Sequence, residues 1–430
     1  MENNSIILPK NEIPRVWYNV LGDLKTPLEP YLTPDRTPVK PEDLKVIFPE
    51  ALIEQELSTQ KYFDIPEPVL EALTEWRPTP LKRAVKLEAA LRLRTHIYYK
   101  NESVSPSGSH KSNTAIAQAH FNKVEGIKRL ATETGAGQWG TALSIAGQTF
   151  GLNIRVYMVK VSLEQKPYRK TIMNLMGAEV LSSPSDLTNA GRTAKAKDPN
   201  GLGTLGLAIS EAVEEAATNK DTNYSLGSVL NHVLLHQTVI GQEVKKQLEL
   251  AKVTPTHLIA CHGGGSNFGG LVTPFVPDLF AGKKLTLIAA EPESCPTLTQ
   301  GRFTHDHGDV AGLTPLLPMY SLGKDFQPPA IHAGGLRYHG ASPIVSALVK
   351  ENLVTPRAIS SSDLFKYAAL FARTEHIIPA PESAHALACA CTVAQELDAN
   401  KTPGVIVFVL SGHGLLDLAA FEDFINNYGS

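Results

Sequence analysis

Four cysteines in 430 residues, at 261, 295, 389 and 391, are too few and too dispersed for a disulfide framework. The close pair Cys389 and Cys391 has no second Cys/His pair at zinc spacing, so it reads as two small residues on a packed helix. Basic charge is also lacking. Forty Lys and Arg face 43 Asp and Glu, for a net charge of −3. No basic stripe interleaved with aromatics is present, which argues against a nucleic-acid partner. Long apolar runs are missing. The most apolar stretch, 404–410, is far too short to span a bilayer, and 1–10 lacks the charged-then-apolar order of a signal peptide. No membrane association and a cytoplasmic location are therefore expected, and no solenoid-period repeat is visible. What remains is 43% hydrophobic and 19% charged residues with 32 glycines, the profile of a globular protein of two or three lobes.

Proline is concentrated at the front, with 12 of the 30 before residue 81. Extended, wrapping chain fits 1–76 better than long helices, and Trp17, Tyr18, Phe48 and Trp76 supply apolar anchors to the body. Helix is expected over 81–93 and strand over 96–100. Strand, glycine-rich turn and helix then recur: strands at 127–132, 154–159 and 179–181, and helices from 112, through 150, over 168–176 and over 206–217. A long buried helix is expected over 228–249, followed by a second such pattern with strands at 256–261, 285–291 and 405–410, and helices from 268, over 363–375 and over 383–397. This order predicts an α/β protein with parallel sheets and ligands at the carboxyl ends of strands. The segment 301–338, rich in Gly, Pro and His, reads as irregular and functional.

Three loops carry chemistry. Lys111, in Gly108-Ser109-His110-Lys111-Ser112-Asn113, sits at the mouth of a helix, where the dipole favours an anion and depresses an amine pKa. A Schiff-base lysine needs that setting, although a surface lysine in a first turn has the same local sequence. Gly263-Gly264-Gly265-Ser266-Asn267 follows a strand and opens a helix, which suits a compact monophosphate. Gly135-Ala136-Gly137-Gln138-Trp139-Gly140 satisfies G-x-G-x-x-G, but the next strand ends Met158-Val159-Lys160, without the acid that a nicotinamide site needs for the ribose. That turn can instead present N–H groups to a substrate carboxylate, with Glu133 beside it as a candidate acid/base. His232 and His236 lack the glutamate of H-E-x-x-H and read as core histidines. His305-Asp306-His307-Gly308-Asp309 has no placeable partner set, so no metal is assigned.

Taken with Pro379-Ala380-Pro381-Glu382-Ser383-Ala384-His385-Ala386 and Ser411-Gly412-His413-Gly414, these ordered motifs resemble the tryptophan synthase β-chain family from about residue 77 to the end. Gly137-Gln138-Trp139-Gly140, Gln165-Lys166-Pro167-Tyr168-Arg169 and the run 332–340 are similar to its longer, second class. The resemblance implies the fold-type-II pyridoxal phosphate (PLP) architecture, two three-layer α/β lobes with the cofactor between them. It implies a proline-rich segment at 1–76, lobes at 77–230 and 231–430, and a mobile region near 126–212.

By the same resemblance Lys111 is the Schiff-base lysine, and His110 helps hold the phosphate. Gly263, Gly264, Gly265, Ser266 and Asn267 form the phosphate cup, Ser411 faces the pyridine nitrogen and Glu382 sits near the ring. Thr134, Gly135, Ala136, Gly137 and Gln138 bind the donor carboxylate, and Glu133 is the second catalytic residue. Indole and L-serine are the implied substrates, with a homodimer and an α chain as implied partners. Arg337 stands where the better-known class has an aspartate, which brings in O-phospho-L-serine as an alternative donor. Serine/threonine dehydratase, threonine synthase and sulfhydrylase chemistry share the lysine and cup. A nicotinamide oxidoreductase and a non-catalytic homologue are the rivals outside that group.

Overall fold

The computed structural model describes residues 4–428. Its strands fall into two main sheets. The larger has seven strands in the order Ser5–Ile6, Leu81–Arg83, His96–Asn101, Val405–Leu410, His257–Cys261, Thr286–Pro292 and Val354–Ile359, the last five mutually parallel. The smaller has four parallel strands in the order Glu179–Ser183, Asn153–Val159, Arg129–Thr134 and Thr222–Tyr224. Runs such as Val405-Ile406-Val407-Phe408-Val409-Leu410 are buried almost throughout, as strands covered on both faces must be. Helix Pro381–Ala399 packs on the larger sheet and Leu205–Thr218 on the smaller, which gives each sheet its helical layer.

Four expectations need correction. Residues 81–93 are not one helix: Leu81–Arg83 is a strand paired antiparallel to Tyr98–Lys100, and only Val85–Ala90 is helical, so tertiary pairing outweighs local helix propensity. The stretch 228–249 divides into helices Asn231–Gln237 and Val239–Ala251. At the break the Thr238 hydroxyl donates to the Leu235 carbonyl (2.7 Å) and accepts from the Tyr18 N–H (3.1 Å). The segment 301–338 contains an antiparallel hairpin, Arg302–His307 with Leu316–Ser321. Finally, His96–Asn101, placed by chain order in the first lobe, lies in the larger sheet beside Val405–Leu410. The proline-rich front does wrap the body, but it also forms the helices Glu50–Leu57 and Glu67–Leu73 and a small sheet of Val16–Tyr18 with Tyr62–Asp64.

The paired histidines are core residues. His232 Nδ1 lies 2.7 Å from Glu56, and His236 contacts Thr114 Oγ1 and Gln55 Oε1. His305 and His307 contact separate backbone carbonyls, those of Pro30 and Thr314. Among the described residues no group of three or more His, Cys, Asp or Glu side chains could hold a metal ion.

Candidate active site

Strands His96–Asn101 and Val405–Leu410 are adjacent and in register, so the loops leaving their carboxyl ends meet. One carries His110 and Lys111, the other Ser411. The His110 N–H donates to the Ser411 carbonyl at 2.9 Å, and Ser109 bridges to Gly412. Helix Ser112–Val124 then begins at Lys111, and its first turn is anchored by a buried charge cluster. Arg77 donates to Glu102 (2.8 Å), to Glu243 (2.9 Å) and to Asn113 (2.9 Å), while Lys100 donates to Glu243 (2.6 Å). All four charged side chains are inaccessible to solvent, which only mutual pairing makes tolerable.

Lys111 Nζ donates to the Gly227 carbonyl and, at 3.1 Å, to Ser266 Oγ. Burial lowers its pKa to about 8, with Cys261, Glu133 and Glu382 opposing the shift. His110 Nε2 lies 3.3 Å from the same Ser266 hydroxyl, and burial beside Lys111 depresses the imidazole to about 3, so it is neutral.

The cup is a cradle without room for side chains. A Cβ on Gly263 would lie 2.8 Å from the Gly335 carbonyl, and one on Gly264 2.5 Å from Ser228 Oγ. Gly265 has φ +108°, and its Cβ would lie 2.8 Å from Ser342 Oγ. Asn267 Oδ1 is buried without a hydrogen-bond partner. A small anion that must approach the glycine backbone closely fits this cradle, and the phosphate of PLP is such a group. Ser411 Oγ is 2.7 Å from Ser383 Oγ and 3.6 Å from the Cys261 thiol, which burial holds at about 11 and therefore protonated. Ser228 and Ser342 lie outside every motif, and sequence reading missed them; Ser383 lies within the 379–386 motif, where no role was read for it.

The second glycine turn leaves strand Arg129–Thr134 and opens helix Gln138–Phe150. Gly137 has φ +88° and packs against the Arg169 alkyl chain, while a Cβ on Gly135 would lie 2.8 Å from the Gly334 carbonyl. Gly334–Leu336 thus divides the two turns, with one carbonyl toward each. Glu382 ties this divider down, accepting from the Gly335 N–H at 2.9 Å and from Gln138 Nε2 at 3.2 Å. Thr134 Oγ1 accepts from the Gly140 N–H. Outside the turn, Asp417 pairs with Lys166 and with Arg169, all three nearly solvent-free.

Glu133 and Lys111 line one cavity of about 110 Å³ with Thr134, Gly135, Ala136 and Gln138. Its remaining wall is largely apolar: Leu44, Ile47, Phe48, Leu205, Ile209 and Leu226. Desolvation raises Glu133 to about 7, against a hydrogen bond from the Tyr224 hydroxyl at 2.7 Å and the nearby Lys111 amine. It is thus poised to give or take a proton near neutral pH. Arg337 lines a second cavity, of about 750 Å³, with Lys197, Lys324 and Asp325, and not the cavity that holds Lys111. The Arg337 Nε is buried without a hydrogen-bond partner.

Comparison with known proteins agrees with this geometry. Residues 72–412 match the family model described as pyridoxal-phosphate dependent enzyme. The chain is 59% identical to "Tryptophan synthase beta chain 2" of Thermotoga maritima, over 96% of this chain and 98% of that one. It is 55% identical to the protein of that name in Aquifex aeolicus, over 98% of each. For the namesake in Methanosarcina mazei the identity is 52%, over 99% of this chain and 97% of the relative. Among solved structures, a processed threonine deaminase isoform 2 from Solanum lycopersicum aligns with TM-score 0.62 at 17% identity, covering 85% of this chain and 95% of its own. A fungal L-serine ammonia-lyase from Rhizomucor miehei aligns with TM-score 0.60 at 18% identity, covering 81% and 98%. These two share the fold. With the lysine, the glycine cradle and the Gly135 turn gathered around one cavity, the chain belongs to the tryptophan synthase β-chain family of pyridoxal-phosphate dependent enzymes.

Proposed function

We propose that this PLP-dependent lyase condenses indole with L-serine or O-phospho-L-serine to give L-tryptophan, with Lys111 and Glu133 as its proton carriers. The observation that carries the reading is a half-buried, desolvated amine at about 8 and a buried carboxyl at about 7 on the wall of one largely apolar cavity. PLP, held by Lys111, His110, Gly263 to Asn267 and Ser411, supplies the electron-accepting system for the pair released at the donor's α-carbon. The turn Thr134 to Gln138 orients the donor carboxylate with backbone N–H groups, and Gln138 is itself fixed by Glu382. Lys111 Nζ takes the α-proton and later returns it. Glu133 gives a proton to the departing β-oxygen, then accepts one as indole adds through carbon 3. Leu44, Phe48, Leu226 and their neighbours seat a flat apolar acceptor and exclude water. A dehydratase needs no acceptor wall of this kind.

The region 126–212 is the part we infer to close over the reaction, consistent with its three strands lying in the smaller sheet, apart from the larger one. A homodimer, an α-chain partner and a cytoplasmic location belong to the same reading. Among the described residues no helix is long and apolar enough to cross a membrane. For the donor, the Arg337 Nε, buried without a hydrogen-bond partner at the edge of the second cavity, supports O-phosphoserine.

An indole assay with the two donors in parallel tests the whole reading. Tryptophan should form, and borohydride should trap the cofactor on Lys111. Arg337→Ala should lose about tenfold in kcat/KM for O-phosphoserine and little for serine. A colourless protein that PLP cannot restore overturns the enzyme reading, and an unchanged donor preference overturns the role of Arg337.

A further inference from the structure

The front segment does more than wrap. Tyr31, Leu44, Ile47, Phe48 and Glu56 line the same cavity as Lys111 and Glu133. They meet Glu133 through one residue, Tyr224, that no motif contains. The Tyr224 hydroxyl donates to Glu133 Oε2 at 2.7 Å, its backbone N–H donates to the Ile47 carbonyl at 2.9 Å, and its ring lies 5.9 Å from that of Phe48. Phe48 in turn packs on His232, which Glu56 holds, and Glu56 also accepts from the Tyr31 hydroxyl at 2.6 Å. Tyr224 is therefore gripped at its backbone, ring and hydroxyl.

We propose that Tyr224 is a positioning residue for Glu133, and that the front segment, by gripping Tyr224, takes part in the reaction. This rests on the reading of Glu133 as a proton carrier. With Oε2 occupied by Tyr224, only Oε1 is free to exchange a proton across the cavity. A hydroxyl donated to one oxygen also favours the ionised carboxylate against burial.

The other charged and titratable groups nearby are otherwise engaged. Tyr338 donates to the Gly308 carbonyl, Asp309 accepts from Ser210 and Thr314, and Tyr157 on the adjacent strand donates to Glu215 of the covering helix. Lys111 is the cation that faces Glu133. Tyr224 is thus the one side-chain hydrogen-bond partner of Glu133 among the described contacts.

The test is the pH dependence of tryptophan formation by the holoenzyme. Losing a donor to the charged form raises the Glu133 pKa. Indole addition, the step that needs the carboxylate, should then slow about fivefold at pH 7 and recover about one pH unit higher in Tyr224→Phe, which keeps the ring. Cofactor affinity and Tm should stay near wild type. Phe48→Leu keeps the hydroxyl but loosens the grip, and should move the same limb in the same direction by less. It also serves as the readout if Tyr224→Phe fails to fold. Wild-type profiles in both variants, or a drop in turnover with no shift of the limb, overturn the proposal. Glu133→Gln separates the two levels. Wild-type turnover there removes the reading of Glu133 itself, whereas loss of turnover with an unmoved Tyr224→Phe profile removes only the role of Tyr224.

Discussion

The two glycine turns are close cousins in sequence, each leaving a buried parallel strand and opening a helix, yet they are built to different ends. The turn at 263–265 is walled by the Gly335 carbonyl, Ser228 and Ser342, while the Lys111 helix opposite is anchored in the Arg77, Lys100, Glu102 and Glu243 cluster. The turn at 135–137 rests on the Gly334 carbonyl and the buried Arg169 chain, and is tied to the rest of the molecule by Glu382 and by the pairing of Asp417 with Lys166. On the roles proposed for them, the first turn gives the cofactor a fixed seat and the second holds the donor carboxylate in one tied down by single side chains.

The largest test of this contrast strikes the fixed side. Glu102→Gln leaves Arg77 short of a charge partner in a solvent-free site, and should cost about 3–5 kcal/mol of unfolding free energy by denaturant titration. The pH dependence follows the same group. Its carboxyl is held at about 2 against an ordinary 4.5, largely by Arg77 and Lys100, which outweigh the burial that would raise it. Its contribution is present in full above the ordinary value and is lost as pH falls toward 2, and acid titration of wild type against Glu102→Gln should show that difference disappear.

A sharper comparison uses two matched substitutions. Gly263→Ala and Gly135→Ala each place a Cβ 2.8 Å from a backbone carbonyl, Gly335 in one case and Gly334 in the other. Overpacking of this kind costs about 1–3 kcal/mol. In Gly263→Ala it should appear as about 5- to 100-fold weaker PLP binding, and in Gly135→Ala as a raised donor KM with PLP binding unchanged. Equal effects on both quantities would break the distinction between the turns.

The smallest effect is expected from Lys166→Met, which leaves Asp417 its Arg169 partner. Donor KM should rise by a factor on the order of three to ten while PLP affinity holds.

Much of this site was legible because its chemistry is local. Lys111, the glycine cradle and the Gly135 turn each announce themselves within a few residues, and the structure brings Lys111 and Glu133 to the wall of one cavity. Tyr224, Ser228, Ser342 and the Gly334–Leu336 divider were not legible, because what matters there is which distant element they touch. The same holds for sheet membership. Strand Leu81–Arg83 is set by its antiparallel partner, and periodicity over 81–93 carries no trace of that partner. Arg337 stood out as a departure from a motif, but its place in a second cavity depends on how 310–337 packs against 184–214.

The adjacency of His96–Asn101 and Val405–Leu410 has a temporal consequence. A ribosome delivers these partners some 300 residues apart, and at about 5–20 residues per second the earlier strand waits for tens of seconds. During that wait the loop bearing Lys111 has no Ser411 neighbour, and the larger sheet lacks its third-to-fourth pairing. Any ligand held jointly by the Lys111 and Ser411 loops therefore waits until translation has passed residue 411.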